Sequence, residues 1–149
     1  MSENMPFSNH TPRFGLPYLF AGQSQREFYV NEALARLDLL LHPVVEGSFV
    51  QAPEEPAAGE IYLVDKGATG DWTGRDDSLA GWDGQQWTYA APVKGMTVFE
   101  RNSGKKRCYL NGWSEPEAIQ NPTGGETIDI EARHAIVQLI ETLEKLTLI

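Results

Sequence analysis

The sequence predicts an α+β protein, and three observations support this fold class. A helical stretch follows an apolar N-terminal arm, short strand-like runs between glycine-rich turns fill the middle, and a second helical stretch ends the chain. Short strands at such close spacing are typical of a small antiparallel β unit and not of a parallel sheet. The predicted divisions are residues 1–46 (N-terminal arm and helix), 47–114 (small antiparallel β domain), 115–128 (linker) and 129–149 (C-terminal oligomerisation helix).

Composition narrows the class of protein. The 149 residues carry 12 Lys and Arg against 21 Asp and Glu, a formal net charge of -9, which argues against a nucleic-acid partner. No apolar run is long enough for membrane insertion, and the N-terminus lacks the features of a signal peptide.

Cys108 is the only cysteine, so a disulfide or a cysteine-based metal site within one chain is excluded. We expect this thiol to be a buried small hydrophobe.

The first zone begins with a proline-containing arm over residues 1–23. It is too apolar to extend freely into solvent, so we expect it to lie against its own domain or a neighbouring subunit. Ser24 to Glu27 has the capping-box pattern and predicts a helix from about residue 25 to 41, ended by Pro43. The predicted buried stripe of this helix consists of Val30, Leu34, Leu37 and Leu41.

Five strand signals follow the Pro-, Ala- and Glu-rich segment at residues 51–59. Two hairpins are predicted, because Asp83–Gln86 and Asn102–Lys105 are turn sequences between β-rich runs. About five short strands are expected, at Ile61–Val64, Leu79–Trp82, Trp87–Ala90, Thr97–Arg101 and Lys106–Leu110.

The pattern of residues 129–149 predicts a second helix, with Asp129 as its N-cap. Its apolar residues recur at alternating spacings of four and three, which is the seam of a coiled coil. A helix this short is marginal alone in water, so it packs on the β unit or on copies of itself; we favour self-association. The oligomerisation residues predicted within this seam are Ile136, Leu139, Leu143 and Leu146.

The most informative signal for a site is aromatic. All four tryptophans lie between residues 72 and 113, and indole rings can stack on the C–H faces of sugars while nearby polar side chains bond the hydroxyls. The same rings can instead fill the core of a small β domain, and both readings stay open. The carbohydrate-binding candidates are Trp72, Trp82, Trp87, Tyr89, Asp83 and Gln85.

Enzyme motifs are absent from the sequence, so we expect no catalytic residue, no metal and no cofactor. Asp71, Asp76, Asp77 and Asp83 lie among the first tryptophans, and carboxylates with aromatic walls are typical of glycosidases. Aspartates are also common in glycine-rich turns, where they bond the local backbone, and we favour that interpretation.

Six segments together carry a resemblance to a known family: Thr11–Tyr18, Ala21–Gln25, Asn31–Asp38, Gly59–Val64, Gly67–Gly74 and Leu79–Trp87. Over about residues 11–113 the chain resembles an uncharacterised domain family found in bacteriophage, prophage and gene-transfer-agent particles, in tail-fibre or head-spike (host-specificity) proteins. No catalytic or sugar-contacting residues can be transferred from that family.

This resemblance implies a non-enzymatic virion protein, made in the bacterial cytoplasm, that aids host attachment by binding surface (capsular) polysaccharide. It also implies other virion proteins as partners and a homo-oligomer, with a trimer favoured and a pentamer second. One alternative is a structural adaptor that anchors a separate receptor-binding spike. A polysaccharide depolymerase that uses Asp71, Asp76 or Asp77 is the less favoured alternative.

Overall fold

The computed structural model describes residues 9–22, 26–114, 119–125 and 129–145, and over these ranges the protein is α+β, as predicted. Two helices flank seven short strands. The elements are α1 (Arg26–Leu40), β1 (Val44–Val45), β2 (Ser48–Phe49), β3 (Ile61–Val64), β4 (Leu79–Trp82), β5 (Trp87–Ala90), β6 (Thr97–Glu100), β7 (Lys105–Cys108) and α2 (Ile130–Lys145).

The strands form two sheets, one with the order β2-β3-β4-β5 and one with the order β1-β6-β7. All five predicted strands and both predicted hairpins are confirmed. The purely antiparallel arrangement is wrong, because β1 pairs in parallel with β6 and β2 pairs in parallel with β3. These two strands have only two residues each, too few for a period-two pattern to reveal them.

The four-stranded sheet buries apolar side chains on both faces. On one face, side chains of β3 and β4 pack with Leu39 of α1, Val45 and Val98. On the other face, Tyr62, Val64 and Ala80 pack with Trp72, which a short 3₁₀ turn at Gly70–Trp72 places there. The alternation of side chains along each strand therefore separates an α1-facing core from a second core that is mostly aromatic.

Helix α1 approaches the sheet closely where Gly81 lies. A Cβ atom at Gly81 would lie 2.8 Å from Cδ1 of Leu39, so the end of the leucine side chain would have to move. The absence of a side chain at this strand position therefore lets Leu39 reach the sheet, where it is 3% exposed.

The stripe predicted to be buried on α1 is wrong. Val30, Leu37 and Leu41 are 41%, 45% and 37% exposed, whereas Asp38 and Leu39 are the buried residues of the helix. The helix is therefore rotated about its axis relative to the prediction. Its polar side, which includes Asp38, bonds the arm, and its apolar stripe faces away from the sheet.

The arm lies on α1 of its own chain over residues 9–22. The Asp38 carboxylate accepts hydrogen bonds from Oγ1 of Thr11 at 2.6 Å and from the backbone N–H groups of Arg13 and Phe14 at 3.1 and 2.8 Å. The Arg13 guanidinium donates to the carbonyl groups of Leu41 and His42 at 3.1 and 2.9 Å, so it caps the C-terminal end of α1. This network joins arm and helix into one unit.

The predicted boundary at residue 46 is not a break in the fold. It falls between β1 and β2, which are bonded to different sheets made from the later strands, and α1 packs in the core of that same β unit. The arm, α1 and the β strands therefore form one continuous structure instead of two domains.

The second helix begins as predicted, since Oδ1 of Asp129 accepts the N–H of Ala132 at 2.9 Å. Of its predicted seam, Ile136 and Leu139 are 44% and 58% exposed and Leu143 is half-buried, whereas Leu146 lies outside the described residues, as does Ser24 of the predicted capping box. Neither helix, within the described ranges, is long and apolar enough to cross a bilayer.

Candidate functional site

Aromatic rings gather on the face of the four-stranded sheet that points away from α1. We call this surface the aromatic face and define it by the residues Phe49, Tyr62, Trp72, Trp82, Trp87 and Tyr89. Five of the six come from strands β2, β3, β4 and β5, and Trp72 comes from the β3–β4 loop. The surface thus combines side chains that are separated by up to 40 positions in the sequence.

Strand register explains why these rings meet. Trp82 pairs with Trp87 across the β4–β5 hairpin, and the neighbouring same-face pair is Ala80 with Tyr89. Tyr62 of β3 lies opposite Ala80 on the other side. Residues paired in this way point to the same face of the sheet, so the small side chain of Ala80 lies among large rings, in the same cluster as Trp72.

The rings form a continuous row across the sheet. Ring centroids are 5.9 Å apart for Phe49 and Tyr62, 6.0 Å for Tyr62 and Trp87, and 5.0 Å for Trp87 and Trp82. These are edge-to-face or tilted contacts, the arrangements that aromatic quadrupoles favour. Phe49 is 46% exposed and both Trp82 and Trp87 are half-buried, whereas Tyr62 between them is only 6% exposed, so the accessible rings are those at the two ends of the row.

Trp72 does not belong to that accessible side. It is 0% exposed and packs edge-on against Trp87 with centroids 5.2 Å apart. A sugar cannot stack on a ring that solvent does not reach, so the prediction of Trp72 as a carbohydrate contact is wrong. Its ring is the core beneath the row.

Both the hydroxyl and the ring of Tyr89 already have partners within the chain. Its hydroxyl donates to the carbonyl of Asp71 at 2.9 Å, and the guanidinium of Arg75 lies 4.6 Å from its ring centroid. Burial raises the pKa of Tyr89, with the Arg75 charge acting in the opposite direction. Arg75 therefore covers one face of this ring and brings a cation to the rim of the aromatic face.

Asp83 and Gln85 lie in the turn at the end of the row. Oδ1 of Asp83 accepts the backbone N–H groups of Gln85 and Gln86, each at 2.8 Å, so this carboxylate shapes the hairpin. The side chain of Gln85 is exposed at the tip. The structure therefore brings Trp82, Trp87, Asp83 and Gln85 of the predicted set to one end of the sheet.

The β3–β4 loop that carries Trp72 is held by aspartates. The Asp76 carboxylate accepts the N–H groups of Gly67 and Ala68, both at 3.1 Å, and these bonds hold its pKa below the usual range. Asp77 adopts a left-handed backbone (φ 63°), and its carbonyl accepts Nε1–H of Trp113 at 2.8 Å. These contacts agree with the turn interpretation of the aspartates.

A small, shallow cleft that is open to solvent lies near the same turn but on the α1 side. Tyr18 and Arg13 of the arm, Thr88 of β5 and Asp83 are among its lining residues. Burial raises the pKa of Tyr18, and the Asp83 and Asp38 charges raise it further. Asp83 thus lies between this cleft and the aromatic face.

Sequence reasoning missed Phe49, Tyr62 and Arg75 as parts of this surface. Phe49 belongs to a two-residue strand that no sequence pattern reveals, and the sequence pattern identifies Tyr62 only as part of an apolar strand. Arg75 gave no signal, because its position over Tyr89 depends on how the β3–β4 loop folds back on β5. Across the described ranges, no group of three or more His, Cys, Asp or Glu side chains is placed to hold a metal ion.

The environment of Tyr62 predicts a specific pH response. Burial raises the pKa of this phenol, and its hydrogen bond to Glu60 raises it further. A pKa that is higher in the folded protein stabilises the fold fully below the ordinary tyrosine value of about 10, and that stabilisation is lost as the pH rises above it. We expect the urea midpoint to fall between about pH 9.5 and 11, and to fall less steeply in Tyr62→Phe. Tyr29→Phe, at a 75% exposed position, is the control; equal slopes in all three proteins would contradict the assignment.

The fold and the aromatic face define a small α+β domain with a tryptophan-rich sheet surface. The family DUF2793, described as a protein of unknown function, matches residues 30–114, from within α1 to the turn after β7. The chain belongs to this family, and the match spans the strands that carry the aromatic face. No curated protein and no solved structure matches the chain.

Proposed function

We propose that the protein is a non-enzymatic attachment subunit of a phage or gene-transfer-agent particle, and that its aromatic face binds polysaccharide of the host surface. The observation that carries the binding proposal is the packed row Phe49–Tyr62–Trp87–Trp82, in which Phe49, Trp87 and Trp82 are accessible around a Tyr62 ring that is only 6% exposed. The virion role rests on the resemblance of residues 11–113 to head-spike and tail-fibre domains.

The two accessible indoles suit individual sugar rings in chemistry. Trp82 and Trp87 have centroids 5.0 Å apart and are inclined by 51°, so a sugar stacks on one indole and contacts the edge of the other. The polar rim contributes Asp83, Gln85 and Arg75 for hydroxyl groups. The rings are fixed by each other, so little side-chain freedom is lost on binding.

Oligomerisation of the subunit, with a trimer favoured and a pentamer second, is part of this proposal. Single glycan sites of this open kind bind weakly, and several linked copies raise the effective affinity without any new contact. The exposed Ile136 and Leu139 of α2 are the residues we assign to this self-association.

A binding experiment tests the glycan site directly. The oligomeric protein is applied to an array of purified bacterial capsular and extracellular polysaccharides, and retained glycans are then titrated by tryptophan fluorescence. We expect Phe49→Ala and Trp82→Ala each to weaken binding at least about tenfold, since each removes a stacking surface worth about 1.4 kcal/mol. Phe28→Ala on α1, at a 76% exposed position, is the matched control and should bind as the wild type does.

Two results would contradict the proposal. One is the absence of any retained polysaccharide while the protein is folded and oligomeric. The other is binding that survives in both variants of the aromatic face, with circular dichroism showing that they are folded. Release of reducing ends from a bound polysaccharide, lost in Asp71→Asn, would support the depolymerase alternative instead.

A structural adaptor is the second candidate, and the exposed apolar side of α2 favours it. In that case the protein joins a separate receptor-binding spike to the particle and needs no glycan of its own. Removal of residues 129–149 should then abolish incorporation into particles, whereas Trp82→Ala should leave incorporation unchanged. Normal incorporation of the truncated chain would exclude α2 as the attachment element.

A further inference from the structure

Helix α1 carries an apolar stripe that the chain itself leaves uncovered. We define the α1 stripe by the residues Tyr29, Val30, Ala33, Leu37 and Leu40 of the helix and Leu41 directly after it, which share one side over an arc of about 120° at 3.6 residues per turn. Tyr29 is 75% exposed and Leu37 is 45% exposed, while Asp38 and Leu39 on the opposite side are buried.

The stripe is large for a surface with no function. The exposed fractions of its side chains correspond to roughly 500 Å² of apolar area, which is within the range of the largest patch on a typical monomer. Two such patches in contact would bury about 1,000 Å² in total, which reaches the lower limit for a specific interface.

Charge does not oppose a second copy of this chain as the occupant. The protein as a whole carries -9, but residues 9–43 are neutral, because the three arginines at 13, 26 and 36 balance Glu27, Glu32 and Asp38. The area of the stripe, set against what a specific interface requires, is therefore the argument for a self-contact.

The stripe is also complementary to itself when two copies of α1 run antiparallel. With the two-fold axis at the level of residue 35 along the helix, Ala33 of one helix faces Leu37 of the other, and Val30 faces Leu40, so small and large side chains alternate. A parallel pair would instead place the two Arg26 side chains together.

We infer that the α1 stripe is a homodimer interface, in which two copies of the chain pack α1 against α1 in antiparallel orientation about a two-fold axis. This contact is separate from the self-association assigned to α2, and it does not depend on glycan binding. It connects subunits, or α2-linked oligomers, in pairs while leaving the aromatic face on the far side of each sheet accessible.

The test measures the mass of the 149-residue protein by light scattering at about 100 μM. In this background protein, the α2 seam is disabled by Ile136→Glu and Leu139→Glu. We expect this background protein to be a dimer, at twice the 16.6 kDa of one chain. Adding Leu37→Glu should yield monomer, because two carboxylates would be buried in the contact.

Val93→Glu is the matched control, because Val93 is a 64% exposed apolar residue outside the stripe, and this variant should remain dimeric. If Leu37→Glu does not fold by circular dichroism, Leu40→Glu at a 41% exposed position takes its place. A monomeric background protein would overturn the inference and indicate that α2 covers the stripe or that nothing does. A dimer that survives a folded Leu37→Glu or Leu40→Glu substitution would overturn it as well.

Discussion

Asp38→Ala should lower the free energy of unfolding by about 3–5 kcal/mol, because it removes three hydrogen bonds from a buried carboxylate and leaves their donors unpaired. Asp38 is 3% exposed, and its oxygens accept from Thr11, Arg13 and Phe14. The arm should then detach from α1, so that residues 9–22 become accessible to proteases. Urea unfolding and limited proteolysis measure these two effects.

The control for this prediction is Glu32→Ala on the same helix. Glu32 forms an exposed ion pair with Arg36 at 2.9 Å, a contact between side chains that are 52% and 59% exposed, and its loss should cost under about 0.5 kcal/mol. If Asp38→Ala changes stability as little as Glu32→Ala does, the arm is not fastened through this carboxylate.

Trp72→Ala should cost a similar amount, about 3–5 kcal/mol, since it opens a large cavity beneath the aromatic face. The ring is 0% exposed and supports Tyr62 and Trp87, with centroids 5.9 and 5.2 Å away. Nε1 of Trp72 has no hydrogen-bond partner among the described residues. Trp72→Phe should therefore cost only about 1–2 kcal/mol, because it loses volume but no hydrogen bond.

Thermal and urea unfolding of both variants check this prediction. An equal loss in Trp72→Ala and Trp72→Phe would mean that the indole nitrogen is bonded in solution. A loss under about 1 kcal/mol in Trp72→Ala would contradict its position in the core. Either variant that folds also tests the glycan proposal, because the rings above Trp72 should bind less well once their support is removed.

Local chemistry made much of the fold predictable. The five strands between residues 61 and 110, the turn at Asp83 and the N-cap at Asp129 each depend on residues a few positions apart. The candidate site was predictable in part for the same reason: Trp82, Trp87, Asp83 and Gln85 belong to one hairpin, and the hairpin alone brings them together.

The sequence by itself therefore determined five of the seven strands, the two hairpin turns and the start of α2, because a hydrogen bond or a φ value within a hairpin is decided by neighbours along the chain. Only the tertiary structure decided which surfaces are buried. The side of α1 that faces the sheet follows from the arm's bonds to Asp38 and from the space at Gly81. Likewise, Trp72 and Trp82 have similar sequence surroundings, yet the Trp72 ring is fully buried and the Trp82 ring is only half-buried. That difference arises because burial depends on which distant segments pack over a side chain, and no local pattern contains this information.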